Sequence, residues 1–270
     1  MKKIFNISKM DCEERFGFAS AGMLAAGRFS SFIPGVIFTA IFYAVLFLLR
    51  IIRVNNSFIE MFFPGGAAER TWIPAITVFM AMWCLSMLLI KRSKLKMQYR
   101  VLEAVPEKNT VTELNDFLDS EVVSVNDFAA SAVLKKYLQL REQQATESEK
   151  LELLDNTIDD LEKSAEVSFI PVSCLIWAIP VLGFIGTVLG LARAVANFGT
   201  LLEPGAGSGN SFAELLPQVT GGLSTAFETT LIALTLALIL QLFSSSQSHA
   251  EAGFFIRLKQ KITDLESALQ

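Results

Sequence analysis

Four stretches almost free of charge decide what this chain can fold into. Three carry no charge at all, Ser30 to Leu49, Thr71 to Ile90 and Phe169 to Ala192, and the fourth, Leu215 to Phe243, holds only Glu228. Inside a bilayer there is no water to bond the backbone, so an apolar run of about 18 residues or more crosses it as a helix that satisfies its own N–H and C=O groups. The hydrophobic share of 52% and 22 Phe agree with several spans plus a modest polar part. The predicted fold class is therefore all-α: an integral membrane protein with four transmembrane helices.

The third and fourth runs share a pattern. At about 3.6 residues per turn, Pro180, Gly183, Thr187 and Gly190 fall on one face of the third helix, at steps of three and four. Gly222, Ala226, Thr230, Ala233 and Ala237 do the same on the fourth. Each face is small and carries one central hydroxyl. Small faces let helices approach closely in lipid, where packing replaces the hydrophobic drive of soluble proteins. By spacing alone, the pair reads as a tightly packed hairpin.

The words of these blocks add a second reading. Ile179-Pro180-Val181-Leu182-Gly183-Phe184-Ile185-Gly186-Thr187-Val188-Leu189-Gly190, followed by Gly222-Leu223-Ser224-Thr225-Ala226-Phe227-Glu228-Thr229-Thr230-Leu231-Ile232-Ala233-Leu234, resembles the MotA/TolQ/ExbB proton-channel family over roughly residues 165 to 245. The four-span layout is similar to MotA and to the Zorya channel subunit. The resemblance implies a ring of channel subunits, a pentamer in that family, around a pair of single-span partners of the MotB/TolR/ExbD type. An aspartate in the partner helix would face Thr187 and Thr230. It further implies a stator of a rotary motor, driven by protons or sodium ions moving down their gradient. Two positions depart from the pattern. TolQ and ExbB carry a glutamate five positions before the threonine, where this chain has Thr225, and the proline of the MotA fourth span has no counterpart between Leu231 and Phe243.

Charge sets the expected orientation, because Lys and Arg beside spans stay cytoplasmic. Lys91, Arg92, Lys94, Lys96 and Arg100 follow the second run, Lys2, Lys3, Arg15 and Arg28 precede the first, and Thr200 to Leu216 has neither Lys nor Arg. Both termini and residues 91–166 are thus predicted inside, and the resemblance implies a bacterial inner membrane. MKKIFNISKMDCEERFG lacks an apolar signal core, since Asp11, Glu13, Glu14 and Arg15 interrupt it. Residues 11–30 read either as an interfacial amphipathic helix or as a plain lead-in. Pro34 is placed in the first turn of the first span. Turn signals lie at Asn55-Asn56 and Pro64-Gly65-Gly66, and Glu203 to Asn210 reads as an outer loop.

Between residues 103 and 166 sixteen Asp or Glu stand against six Lys or Arg, which excludes a phosphate-neutralising nucleic-acid surface. Thr110/Glu113 and Ser124/Asp127 resemble helix-starting capping boxes. Leu151, Leu154, Ile158, Leu161 and Ala165 step into the third span, and Phe255, Leu258, Ile262, Leu265 and Leu269 follow the fourth. Those seams predict either long cytoplasmic extensions of spans three and four that pack together, or two separate surface helices. The expected domains are an N-terminal segment (1–30), spans one and two with an outer connector (31–90), a cytoplasmic helical domain (91–166), the channel hairpin (167–247) and a C-terminal cytoplasmic helix (248–270).

Enzyme chemistry has little footing. One histidine, His249, cannot build a multi-histidine metal cage, Gly183-x-x-Gly186-Thr187 lacks a phosphate-loop lysine, and no G-x-S-x-G occurs. Neither cofactor nor metal is expected, and no disulfide framework follows from Cys12, Cys84 and Cys174. Threonine does not ionise in the physiological range, so Thr187 and Thr230 can only assist a carrier, which the resemblance places on the partner chain. Glu228 is the ionisable residue within a span and is a functional candidate by default. It lies about 200° from Thr230 on the helix, at about 100° per residue. It is expected to point toward a neighbouring helix or subunit together with Ser224, Thr225 and Thr235, and has either an ion-route or proton-sensing role or a structural hydrogen bond, for instance with Arg193. Arg193 reads as a snorkelling residue at the outer interface. The function expected is an ion-conducting motor subunit, with a membrane scaffold or receptor subunit as the alternative.

Overall fold

The computed structural model describes residues 24–52, 57–63, 71–105, 114, 117–118, 128–143, 146–201 and 211–269. Among them every regular element is a helix: α1 (Arg28–Ile51), α2 (Ser57–Glu60), α3 (Ile73–Ala104), α4 (Ala129–Glu142), α5 (Glu147–Val167), α6 (Ile170–Leu201) and α7 (Ser211–Leu269). Four are long and apolar enough to cross a membrane. The turn signals at Asn55-Asn56 and Pro64 to Gly66, both capping-box pairs, the Glu203 to Asn210 loop and most of the 11–30 segment lie outside the described residues.

Helix ends differ from the ends of the uncharged runs. α3 continues through Lys91, Arg92, Lys94, Lys96 and Arg100 to Ala104, and α6 runs past Arg193 to Leu201. A charge stops a segment from being lipid-compatible, but Lys and Arg are good helix formers and do not stop the helix. α7 starts at Ser211, four residues before the apolar run that begins at Leu215. Pro34 is a correction of another kind. The helix begins at Arg28, so Pro34 sits in its interior, where it removes the backbone donor that would bond the carbonyl of Ser30. The earlier start is secured by the Ser31 amide and the Ser30 hydroxyl, both donating to the Gly27 carbonyl at 3.0 Å.

The chain divides into two compact units. The first comprises Met1–Ser31, Met87–Pro171 and Ser244–Gln270, the second Phe32–Ser86 and Val172–Phe243. In the first, Val101, Leu114, Val133, Leu134, Phe254 and Leu258 are almost fully buried in one apolar cluster. The two seams read from the sequence join this cluster through Leu154, Ile158, Ala165, Phe255, Ile262 and Leu265. A surface pair between Lys259 and Asp155, at 2.5 Å, links α7 to α5.

The second unit holds the apolar helices. Gly35 of α1 lets the helix lie on Trp83, since an added Cβ would come 2.9 Å from the Trp83 Cα. The Phe32 ring meets Phe79 and Trp83 edge-on, at 5.6 and 5.4 Å between centroids. Leu46, Ile59, Phe62, Val78 and Ile232 form a small core joining α1, α2, α3 and α7. Large apolar side chains elsewhere stay open, including Trp177, Phe184 and Val188 on α6 and Phe227, Leu231 and Leu238 on α7. Exposure on that scale suits a hydrocarbon solvent.

Candidate functional site

The contact between α6 and α7 is built by removing side chains. A Cβ on Gly183 would sit 2.5 Å from the Ala233 Cβ, and one on Gly190 would sit 2.7 Å from the Gly222 carbonyl oxygen and 2.8 Å from the Ala226 nitrogen. From the other helix, a Cβ on Gly222 would meet the Ala194 nitrogen and the Gly190 oxygen, both at 2.9 Å. Backbone therefore approaches backbone, the mode by which helices associate in lipid. Ala226 and Ala233 are buried at 2% and 0% exposure, and Ala237 is buried one turn further along. Pro180 is half-buried inside α6, where its missing N–H frees the carbonyl of Ile176 from the helical ladder.

Within this close contact the two central hydroxyls meet. Thr187 and Thr230 are hydrogen-bonded to each other, oxygen to oxygen. The carbonyls of Gly183 and Ala226 flank both: Thr187 Oγ1 lies 3.2 Å from the first and 3.3 Å from the second, Thr230 Oγ1 3.2 Å from each. A hydroxyl has one O–H and two lone pairs. One proton is used between the threonines and the other goes to a carbonyl, so the donors are spent while most lone pairs remain. The pair is rich in acceptors. It can receive a protonated acid, a hydrated proton or a cation, but to bind an ionised carboxylate it must first give up a bond.

Glu228 points elsewhere, as its angular separation from Thr230 requires. It is buried at 9% exposure and accepts a hydrogen bond from the Ser224 hydroxyl at 3.0 Å. Of the other neighbours named from the sequence, Thr225 is buried and donates to the Gly221 carbonyl at 3.0 Å, while Thr235 and Arg193 are exposed.

Sequence reasoning missed two members of the interface. Gly186 lies directly against Thr229, so closely that an added Cβ would overlap the threonine side chain. Thr229 is 1% exposed and donates to the Ala226 carbonyl at 3.0 Å. The signal was present: Gly186 stands three residues after Gly183 and four before Gly190. The face is simply wider than one row.

Residues 125–252, which include all of α6 and α7 from Ser211 as far as residue 252, match the model of the MotA/TolQ/ExbB proton channel family. Neither a curated protein nor a solved structure matches the chain.

Proposed function

Because the chain belongs to the MotA/TolQ/ExbB proton channel family through residues 125–252, we propose that it is the ion-conducting subunit of a motor powered by proton motive force. Its four long apolar helices and its family make it a multi-pass membrane protein. In this proposal several copies, a pentamer by family analogy, surround a dimer of a single-span partner whose helix carries an aspartate. The assembly lies in a bacterial inner membrane with both termini inside. The observation that carries the reading is the acceptor-rich Thr187–Thr230 pair, set in the two helices that the family match covers.

The chemistry follows from that pair. A partner aspartate arriving protonated offers the O–H that the threonines lack, so the neutral acid is received at low cost in hydrocarbon. After release of the proton the carboxylate is acceptor-only, the contact weakens, and the partner helix moves on. One proton crossing the membrane releases about 2.3 kcal/mol for each 100 mV, enough to bias such a step. Glu228, buried beside Ser224 on a face of α7 turned away from that pair, is assigned a separate ion-route or proton-sensing role.

Proton uptake by vesicles containing this protein and its partner tests the proposal. T187V together with T230V keeps side-chain volume and removes both hydroxyls, and flux should vanish while the complex still assembles. Unchanged flux would remove the pore assignment. The second reading, a scaffold that uses its small faces only for assembly, is favoured by the direct Gly183–Ala233 and Gly190–Gly222 contacts. It predicts no flux with any partner.

A further inference from the structure

Within the first unit Lys91 of α3 is fully buried, at 0% exposure, and its ammonium serves three other parts of the chain. It pairs with the Glu251 carboxylate of α7 at 3.2 Å. It donates to the Leu24 carbonyl at 3.2 Å and to the Ser168 hydroxyl at 2.5 Å, and lies 3.9 Å from the centre of the Phe169 ring. Leu24 precedes the first spanning helix, with its side chain buried in the apolar cluster, and Ser168 and Phe169 are the two residues separating α5 from α6. One turn further along α3, Lys94 donates to the next carbonyl, that of Ala25, at 2.7 Å. Gln247 donates at 3.2 Å to Oε1 of Glu251, the oxygen that also lies 3.2 Å from the ammonium.

An ammonium this deeply buried is costly unless paired and fully hydrogen-bonded, and a hydrophobic residue of similar size would often serve stability as well. Packing alone does not call for a lysine here. What a lysine adds is reach: one cation donates at once to a carboxylate, a carbonyl and a hydroxyl while lying over an aromatic face. The two segments it holds are weak points of the backbone. The lead-in is not helical until Arg28, and the α5–α6 break is a two-residue turn capped by the Ser168 amide on the Ser164 and Ala165 carbonyls and the Phe169 amide on that of Glu166.

We propose that Lys91 is a shared latch, fastening the lead-in to the first span and the break between α5 and α6 to one point on α3, so that the two segments loosen together when its ammonium is withdrawn. This device does not depend on ion conduction, and its failure would leave the channel reading untouched.

Hydrogen exchange of the full-length protein in detergent micelles tests it. In K91M, exchange over residues 24–31 and 164–171 should rise about tenfold in step, while α4 keeps its wild-type protection. A rise in only one segment, or in neither, overturns the latch. K91M leaves Glu251 buried without its counter-charge and can unfold the unit as a whole, in which case K91M with E251M decides. That double variant removes both charges and keeps the apolar volume. It should show the same paired loosening beside a protected α4, and any other pattern overturns the proposal.

Discussion

Thr187 and Thr230, 43 residues apart in the sequence, meet hydroxyl to hydroxyl across two helices that touch through bare backbone. The relationship makes each threonine's effect depend on the other. T187V leaves the Thr230 proton free to satisfy a carbonyl by itself, and T230V does the converse. Each single variant should therefore retain part of the proton flux, the double none, and the thermal stability of the double should fall by about 1 kcal/mol per lost hydrogen bond. Flux and unfolding of the three variants, measured side by side, check this.

The glycines of α6 should differ in whether they can be rescued. G183A meets a side chain, the Ala233 Cβ at 2.5 Å, whereas G190A meets backbone atoms of Gly222 and Ala226 at 2.7 and 2.8 Å. Both should destabilise the hairpin by about 1–3 kcal/mol, the usual cost of overpacking. Adding A233G should restore much of the loss in G183A, and no single truncation should restore G190A. Thermal unfolding in detergent gives the comparison.

At Glu228, a glutamine preserves the acceptor that Ser224 bonds at 3.0 Å, so E228Q keeps that bond while removing the titratable group. We expect E228Q to lower proton flux and flatten its pH dependence with assembly unaltered. Wild-type flux and pH profile in E228Q would reduce the residue to a hydrogen-bond partner of Ser224.

Tyr137, on α4 and away from the spans, gives a pH prediction with a definite sign. Burial pushes its phenol above the ordinary value of 10.0, helped by the Glu266 charge and opposed by Arg141 and Lys150. A raised folded-state value means that its contribution is complete below pH 10 and is lost as pH climbs through the higher folded value. Phenolate absorbance of the folded protein should hold a late-titrating component that is one group smaller in Y137F, and Y137F should lose less stability in strong alkali.

Much of this protein is legible in its residues. The uncharged runs pick out four helices long and apolar enough to cross a membrane, because hydrocarbon permits no other backbone state. The seams at Leu154, Ile158 and Ala165 and at Phe255, Leu258 and Ile262 mark the faces that join one buried cluster, because a helix must hide its apolar stripe. The step of three and four locates Gly183, Thr187, Gly190, Gly222, Ala226 and Thr230 at a close contact. Helix ends were less legible: the uncharged run stops at Leu49 or Ala192, yet the backbone continues to Ile51 and Leu201, and Pro34 falls inside a helix rather than at its start. Hydropathy measures compatibility with lipid, whereas hydrogen bonding decides where a helix stops.

What the sequence alone determined is the set of faces, since periodicity is a local property of each helix. Which face meets which was decided only in three dimensions. The mutual bond of Thr187 and Thr230, the insertion of Thr229 over Gly186, and the meeting of Lys91 with Glu251, 160 residues away, all depend on how distant helices are set against one another. No spacing rule within a helix carries that information, because the partner lies on a different stretch of chain.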